Sequence, residues 1–510
     1  MDNYFYLPFM LSVLAFALLH LVKLALRWPM APRLPPGPWE LPVVGGMHHL
    51  VNVLPHRSLR DLAAKHGPLM MLRLGQTPLV VVSSKEMARA VLMTHDANFA
   101  TRPKLLAAGI VVYEWADIIF SPSTDYWRKL RQLCTSEILG PQRVLSFRHI
   151  REDEVMLRVE EIRAMGPSTP VNLSVMFHSM SNNIVSRAAF GNKPKNAPEF
   201  IAATKVLISL VSGFNIPDLF PAWTTVLARF TGMTRRLKDI HKTMDTILEE
   251  IIHERKATRD SKIKSGAEVV DENLLDVFIG LQEKGGLGFD FTNSIIKAVI
   301  LDIFAGGTGA PASAMEWAMS ELMRNPATMK KLQGQLREAF RGKAAVTEGD
   351  LQASNLRYLK LVLKESLRLH PPAPLLVPRE SIEECQLNGY TIPAKSRVII
   401  NAWAIGRDPL YWKDAEEFRP ERFEDGAIDF NGNNYEFLPF GSGRRMCPGF
   451  NYGLTSMELT FAGLLYHFDW SLPEGVKEVD MEEAPGLGVR RRSPLILCAT
   501  PFVRATTTAY

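Results

Sequence analysis

The segment Phe440-Gly-Ser-Gly443-Arg-Arg445-Met-Cys447-Pro-Gly449 constrains this chain more than any other stretch. It sets one cysteine between an irregular segment and the apolar, helically spaced run Tyr452–Leu465, with Pro448 and Gly449 opening the turn between them. A thiolate at the start of a helix gains from unpaired backbone N–H groups and from the positive end of the helix dipole. Gly441, Gly443 and Gly449 allow the backbone to approach a large flat ligand, because no Cβ intervenes. Arg445 supplies a charge-assisted partner for a carboxylate. A shielded thiolate of this kind suits haem iron as an axial ligand. Taken alone, the residue also reads as a buried structural cysteine. The four cysteines (Cys134, Cys385, Cys447, Cys498) lie far apart and form no C-x-x-C pair, so neither a disulfide scaffold nor a structural zinc site is expected.

The chain of 510 residues is 46% hydrophobic and 22% charged, which argues against disorder and against a polytopic membrane protein. A net charge of +5 builds no field strong enough for a nucleic-acid partner. Tyr4 to Val22 is free of charge, and 19 residues of helix span roughly 28 Å, close to the hydrocarbon core of a bilayer. Met1-Asp2-Asn3 offers no basic n-region and no cleavage site follows, so residues 1–28 read as an uncleaved anchor and not as a secretory signal. Lys23, Arg27 and Arg33 follow the run, which puts the remainder on the cytoplasmic side. The Asn172-Leu-Ser174 sequon is then idle. Residues 29–45, rich in proline from Pro29 to Pro38, read as a stiff hinge.

Residues 46–510 read as one mostly helical domain with small β-sheets. Helices are expected at Ser58–Lys65, Ser84–Met93, Asp125–Leu139, Arg235–Arg255, Asn273–Gln282, Thr292–Arg324 and Ala327–Phe340. Strands are expected at Leu69–Leu74, Leu79–Ser83, Gly389–Ile392, Arg397–Asn401 and Pro494–Thr500. The polar tract Arg255–Asn273 is the best internal loop. The aromatic segment Gly213–Trp223, broken by Pro217 and Pro221, reads either as a turn with buried rings or as a second membrane-touching loop.

Phe440, Gly443, Arg445, Cys447 and Gly449 together form F-x-x-G-x-R-x-C-x-G, which resembles the haem-binding loop of the cytochrome P-450 superfamily. Glu365-Ser-Leu-Arg368 is similar to its E-x-x-R pair, Pro420-Glu-Arg422-Phe423 to its P-E-R-F segment, and Trp127-Arg-Lys-Leu-Arg131 to its W-x-x-x-R. The order agrees as well, with 82 residues from Glu365 to Cys447. The resemblance implies that fold, with haem b between a long central helix and the cysteine loop, and Cys447 as axial iron ligand. It implies that Arg445, Trp127 and Arg131 contact haem propionates, with Arg379 as a further partner and Arg102 either a partner or an ordinary surface arginine. Glu365 and Arg368 share a helix face at i,i+3, and the resemblance joins them to Arg422 in a structural network.

One segment departs from the family. Aligned on Asp302 to Thr308 and Glu316-Trp317, the oxygen-activation motif falls on Gly306 to Pro311. Gly309 then stands at the acid position and Ala310 at the threonine position, so both groups credited with steering protons are absent. Pro311 removes the N–H that would bond the Gly307 carbonyl and should bend the helix. Thr308 lies on another side of the helix and Ser313 a turn away, so proton delivery falls to ordered water or a substrate hydroxyl. Three outcomes are open: a poorly coupled monooxygenase, a reductase-independent rearrangement of an oxygenated substrate, or a haem protein with little activity.

Ile303, Phe304, Gly306 and Gly307 on that helix, with Ala373, Leu375, Leu376 and Leu487 on two loops, form the expected pocket wall. It carries no fixed charge and points to a hydrophobic small molecule. Leu438-Pro-Phe-Gly441, Asn401–Asp408 and Phe468-Asp-Trp470 are similar to the plant A-type 71 clan, and nearest to grass members that oxidise sesqui- and diterpenes. Aromatic or indolic metabolites are the alternative, and a non-catalytic haem- or lipid-binding protein a further one. The resemblance implies electrons from NADPH through a membrane-bound cytochrome P-450 reductase, docked near Arg128, Lys129 and Arg444. It also implies a single-pass protein of the endoplasmic reticulum membrane with its catalytic domain facing the cytosol.

Overall fold

The computed structural model describes residues 32–502 apart from positions 168, 193, 195, 212, 267, 269, 355, 485 and 487. The anchor expected at residues 1–28 and the first three hinge residues lie outside the described residues. Six helices position the site: α1 (Asp125–Leu133), α2 (Leu173–Phe190), α3 (Met233–Lys264), α4 (Asn293–Arg324), α5 (Arg357–Leu369) and α6 (Phe450–His467). A four-stranded sheet of β1 (Leu69–Leu74), β2 (Thr77–Val82), β3 (Arg379–Glu380) and β4 (Arg397–Ile400) runs in the order β1-β2-β4-β3. β1 and β2 form a hairpin in which Leu69 faces Val82 and Leu74 faces Thr77; β4 joins β2 in parallel.

α4 is the axis of the fold. The Thr292 hydroxyl caps it by accepting from the Ile295 N–H, and it runs unbroken through Pro311 to Arg324. It lies against α2, α5 and α6, so both of its ends are buried on nearly every side. Among the described residues it is the one helix long and apolar enough to cross a membrane, yet most of it is enclosed by protein, as a core helix is.

Two expected helices end in a wider winding. The expected helix Asp125–Leu139 is α-helical to Leu133 and then a π-turn from Cys134 to Ile138, and Lys85–Arg89 passes into a π-turn at Ala90–Thr94. The tract Arg255–Asn273 is not a loop throughout: α3 continues to Lys264. Ion pairs outweigh its polarity, since Arg255 bridges Glu272 and Asp276 while Arg259 bridges Asp271 and Glu283. The described hinge residues are tied to the body. Pro36 accepts from the Met71 N–H at 2.9 Å, and the Thr391 N–H donates to the Arg33 carbonyl at 2.8 Å.

Candidate active site

The cysteine loop is closed on itself before any ligand is considered. The Cys447 N–H donates to the Phe440 carbonyl at 2.9 Å, and the Met446 N–H to the Gly443 carbonyl at 3.0 Å. Gly443 has φ 68°, and a Cβ there would stand 2.4 Å from the Leu92 carbonyl oxygen, so only glycine fits. Gly449 begins α6, and the Phe440 ring sits edge-on to Phe430 and near Phe450. Cys447 keeps a partly accessible face. Burial pushes its thiol up, against a Gly449 N–H and the Arg131 guanidinium that pull it down. The chain's own field therefore leaves sulfur ionisation to a bound cation, as at metal-thiolate sites.

Four guanidinium groups converge beside the loop. Arg445 donates to the carbonyls of Ala100 at 2.7 Å, Ile118 at 3.2 Å and Ser121 at 2.5 Å, and lies 3.6 Å above the Trp127 ring. Arg131 donates to the Met446 carbonyl. Arg379 bridges Asp96 and the Ser442 carbonyl, both at 2.8 Å. Arg102 is buried and bonds the carbonyls of Ile119, Val377 and Pro378, so it is no surface arginine. Desolvation and mutual repulsion lower Arg102 and Arg445, the latter to about 9.

Two carboxyls that sequence reasoning passed over complete this cluster. Asp302 of α4 accepts from the N–H groups of Ile118 at 2.7 Å and Ile119 at 3.3 Å, and Asp117 accepts from Phe120 at 2.9 Å. Burial, and for Asp302 the charge of Asp117, push both carboxyls upward. Their signal was a lone carboxylate inside an apolar run, at Ala116–Phe120 and Ile300–Phe304. Four guanidiniums thus face Asp96 and two carboxyls whose ionisation burial disfavours, which leaves an excess of positive charge in a buried setting. A haem carrying two propionates matches that excess, and Cys447 with its partly accessible face matches the iron. The residues present fit the group.

Glu365, Arg368 and Arg422 come together as expected. The Glu365 carboxylate is fully buried and accepts from Arg368 at 2.7 and 2.8 Å, from Arg422 at 2.8 Å and from the Arg419 N–H at 2.8 Å. Arg368 in turn holds the carbonyls of Gly406, Ala415 and Glu417.

The centre of α4 opens. Gly306 and Ala310 are exposed, and Ile303, Gly307, Gly309 and Pro311 partly so, between flanks that are packed shut. A Cβ built on Gly306 or Gly309 meets nothing within 4 Å. The nearby hydroxyls are spent: Thr308 donates to the Phe304 carbonyl at 2.8 Å and Ser313 to the Val489 carbonyl at 2.6 Å, both buried. Of the expected pocket wall, Ile303, Gly306, Gly307, Ala373 and Leu376 are accessible in part or more. Phe304 is not placed on an open wall; it is 1% exposed, stacked on Phe190 and edge-on to Phe200. Leu375 packs into the core with Leu59 and Leu79 instead, and Leu487 lies outside the described residues. The two pocket loops do meet, since the Val489 N–H bonds the Pro372 carbonyl at 3.2 Å while Ser313 and Trp317 hold the Val489 carbonyl.

Comparison with known proteins agrees with this geometry. The cytochrome P450 family profile matches residues 35–499. The chain is 49% identical to premnaspirodiene oxygenase of Hyoscyamus muticus, over 92% of this chain and 93% of that one. It is 47% identical to 5-epiaristolochene 1,3-dihydroxylase of Nicotiana tabacum, over 92% and 93%. A zebra fish cytochrome P450 solved with progesterone has the same fold, with a TM-score of 0.75 at 24% identity over 88% of this chain and 100% of that one.

Proposed function

The chain belongs to the cytochrome P450 family and is a haem-thiolate monooxygenase, and from that premise we propose that it oxidises a sesqui- or diterpenoid. When bound, haem supplies the chemistry of inserting one atom of O2 into a C–H bond. The observation that carries the terpenoid reading is the 49% identity, nearly end to end, with an oxygenase named for a sesquiterpene. An open α4 wall without a charged side chain supports it, because such a wall binds by apolar area.

In this reading Cys447 would hold the haem iron through its sulfur. Arg445, Arg131 and Arg379, with Trp127 beneath Arg445, would compensate the propionates, and Arg102 would join them. Phe440, Gly443 and Gly449 shape the loop. Gly309, Ala310 and Pro311 hold and move no proton through a side chain, and neither Thr308 nor Ser313 has a free hydroxyl hydrogen to give. Ordered water or substrate then carries the proton, which favours partial leakage of electrons to peroxide. Electrons come from NADPH through a reductase; exposed Arg128 and Arg444, the charges expected to face it, are ion-paired within the chain to Asp125 and Asp96. The protein is anchored in the endoplasmic reticulum membrane. The exposed apolar residues Trp223, Val226 and Phe230 next to Ile216 supply further bilayer contact.

The test is turnover in microsomes with reductase and NADPH against terpene and aromatic panels, with product and peroxide both quantified. Terpenoid products are expected, and turnover confined to aromatic compounds overturns the substrate class. Ala310→Thr returns a hydroxyl to the open wall and should lower peroxide formed per NADPH at least about threefold, the worth of one added hydrogen bond. An unchanged ratio would count against the proton-route reading.

A further inference from the structure

We propose that the substrate reaches this site already carrying a hydroxyl group, and that this hydroxyl donates a hydrogen bond to the main-chain carbonyl of Gly307. The inference rests on the terpenoid reading and narrows it from hydrocarbon to alcohol.

In an α-helix the carbonyl of residue 307 accepts from the N–H of residue 311. Here that residue is Pro311, which has no N–H, and α4 nevertheless continues on both sides of it. The Gly307 carbonyl is therefore a helix-interior acceptor deprived of its usual donor. Gly307 stands at the edge of the opening in α4: a Cβ built on it would meet Val185 of α2 at 3.0 Å, while Gly307 and Pro311 are both partly accessible and Gly306 and Ala310 beside them are exposed. Among the described residues, no side-chain hydrogen bond reaches it from α4. Thr308 and Ser313 give their hydrogens to Phe304 and Val489. The buried Asp302 carboxyl is turned to the N–H groups of Ile118 and Ile119. Gly306, Gly309 and Ala310 carry no polar side chain at all. Among the described residues, this face of α4 thus offers an acceptor and no side-chain donor.

Ligand chemistry follows from that asymmetry. A hydrocarbon leaves the carbonyl without a partner once water is displaced, which is unfavourable. A ketone or ether sets a second acceptor against the first. An amine would bring a cation to a wall without a carboxylate. A hydroxyl on an apolar skeleton satisfies the carbonyl and keeps the buried apolar area. The reaction that supplies this substrate is then one that leaves an alcohol: an earlier hydroxylation of the hydrocarbon, or a cyclisation terminated by water.

The test is optical ligand titration of the full-length holoenzyme with three matched probes: cedrene, cedrol and cedryl methyl ether. Cedrol is expected to bind about three- to tenfold tighter than either of the others. Pro311→Ala restores an N–H to the Gly307 carbonyl and removes the helix clash, so folding is not at risk. In that variant the ratio of cedrol to cedrene affinity should fall to about one, each variant's cedrene affinity serving as its own reference. A ratio that survives Pro311→Ala, or an ether that binds as well as the alcohol, overturns the proposal. Butylbenzene, 4-phenyl-1-butanol and its methyl ether separate the two readings. A Pro311-dependent alcohol preference in this aryl series alone sinks the terpenoid class and upholds the Gly307 contact, whereas no such preference in either series sinks the contact.

Discussion

Replacing Glu365 by glutamine removes one negative charge and keeps the side chain's volume, which isolates the electrostatics of the Glu365–Arg368–Arg422 network. The carboxylate takes four hydrogen bonds between 2.7 and 2.8 Å with both partners of the helical pair fully buried. One carboxylate oxygen takes three of the four bonds and the other takes one, so glutamine, with one acceptor oxygen and an NH2 group turned toward a guanidinium donor, loses at least one of them along with the charge. Arg368 cannot move to water: its guanidinium is held by three carbonyls and lies 5.1 Å over the Trp412 ring. An uncompensated charge remains inside the protein, at a cost of about 3–5 kcal/mol. Against a typical stability of roughly 5–15 kcal/mol, that is about a fifth or more of the total. Arg422→Ala should cost only about 1–2 kcal/mol, because Arg422 gives Glu365 a single bond and its other donors reach carbonyls near the surface. Chemical denaturation read by tryptophan fluorescence gives the order, and the reduced carbon monoxide spectrum gives haem content in the same samples. Glu365→Gln should lose both stability and haem. If it unfolds within about 1 kcal/mol of the parent with full haem, or if Arg422→Ala is the more damaging change, the buried-charge argument is wrong.

Three further outcomes follow from the geometry. Gly443→Ala drives a Cβ to 2.4 Å from the Leu92 carbonyl at a φ of 68°, so haem incorporation measured after expression should collapse while Gly306→Ala, with open space at its Cβ, leaves it intact. Arg445→Leu frees three main-chain carbonyls and uncovers the Trp127 face, and transfer of haem to an acceptor apoprotein should accelerate at least about tenfold. Acid stability should depend on Glu483, where burial opposes ionisation but hydrogen bonds from His56 and Arg57 prevail and hold the carboxyl down at about 2. A folded-state value below the ordinary one of 4.5 means stabilisation present above about pH 4.5 and lost as pH falls toward 2. Glu483→Gln should therefore flatten the unfolding midpoint across pH 5 to 3, and an unchanged slope would refute the assignment.

Much of the scaffold was legible because local rules and the fold agree. Thr292 capping, the apolar run after it and Asn325-Pro326 at its end define α4 to within a residue. Glu365 and Arg368 pair because i,i+3 spacing on one helix face leaves them no alternative. What was illegible depends on distant segments. Residues 255–264 are too polar to predict as packed helix, and only ion pairs to Asp271, Glu272, Asp276 and Glu283 explain them. Phe304 and Ile303 are adjacent apolar residues, and nothing local tells which one faces Phe190 and which the open wall. Arg102 in Thr101-Arg-Pro103 carries no periodic signal; its burial is decided by the carbonyls of Ile119, Val377 and Pro378.

The same non-locality sets the charge balance of the site. Residues 117–121 are strung between opposing partners, with their N–H groups taken by Asp117 and Asp302 and their carbonyls by Trp127, Arg102 and Arg445. Because Asp302 belongs to α4 and Arg445 to the cysteine loop, that short segment joins the helix to the loop through its main-chain atoms, which substitution of Ile118, Ile119 or Ser121 does not remove. Gly309 and Ala310 take no part in that connection, so the open stretch of α4 can vary without the helix losing its place beside the loop. The fold thus separates where the helix is held from where it is open.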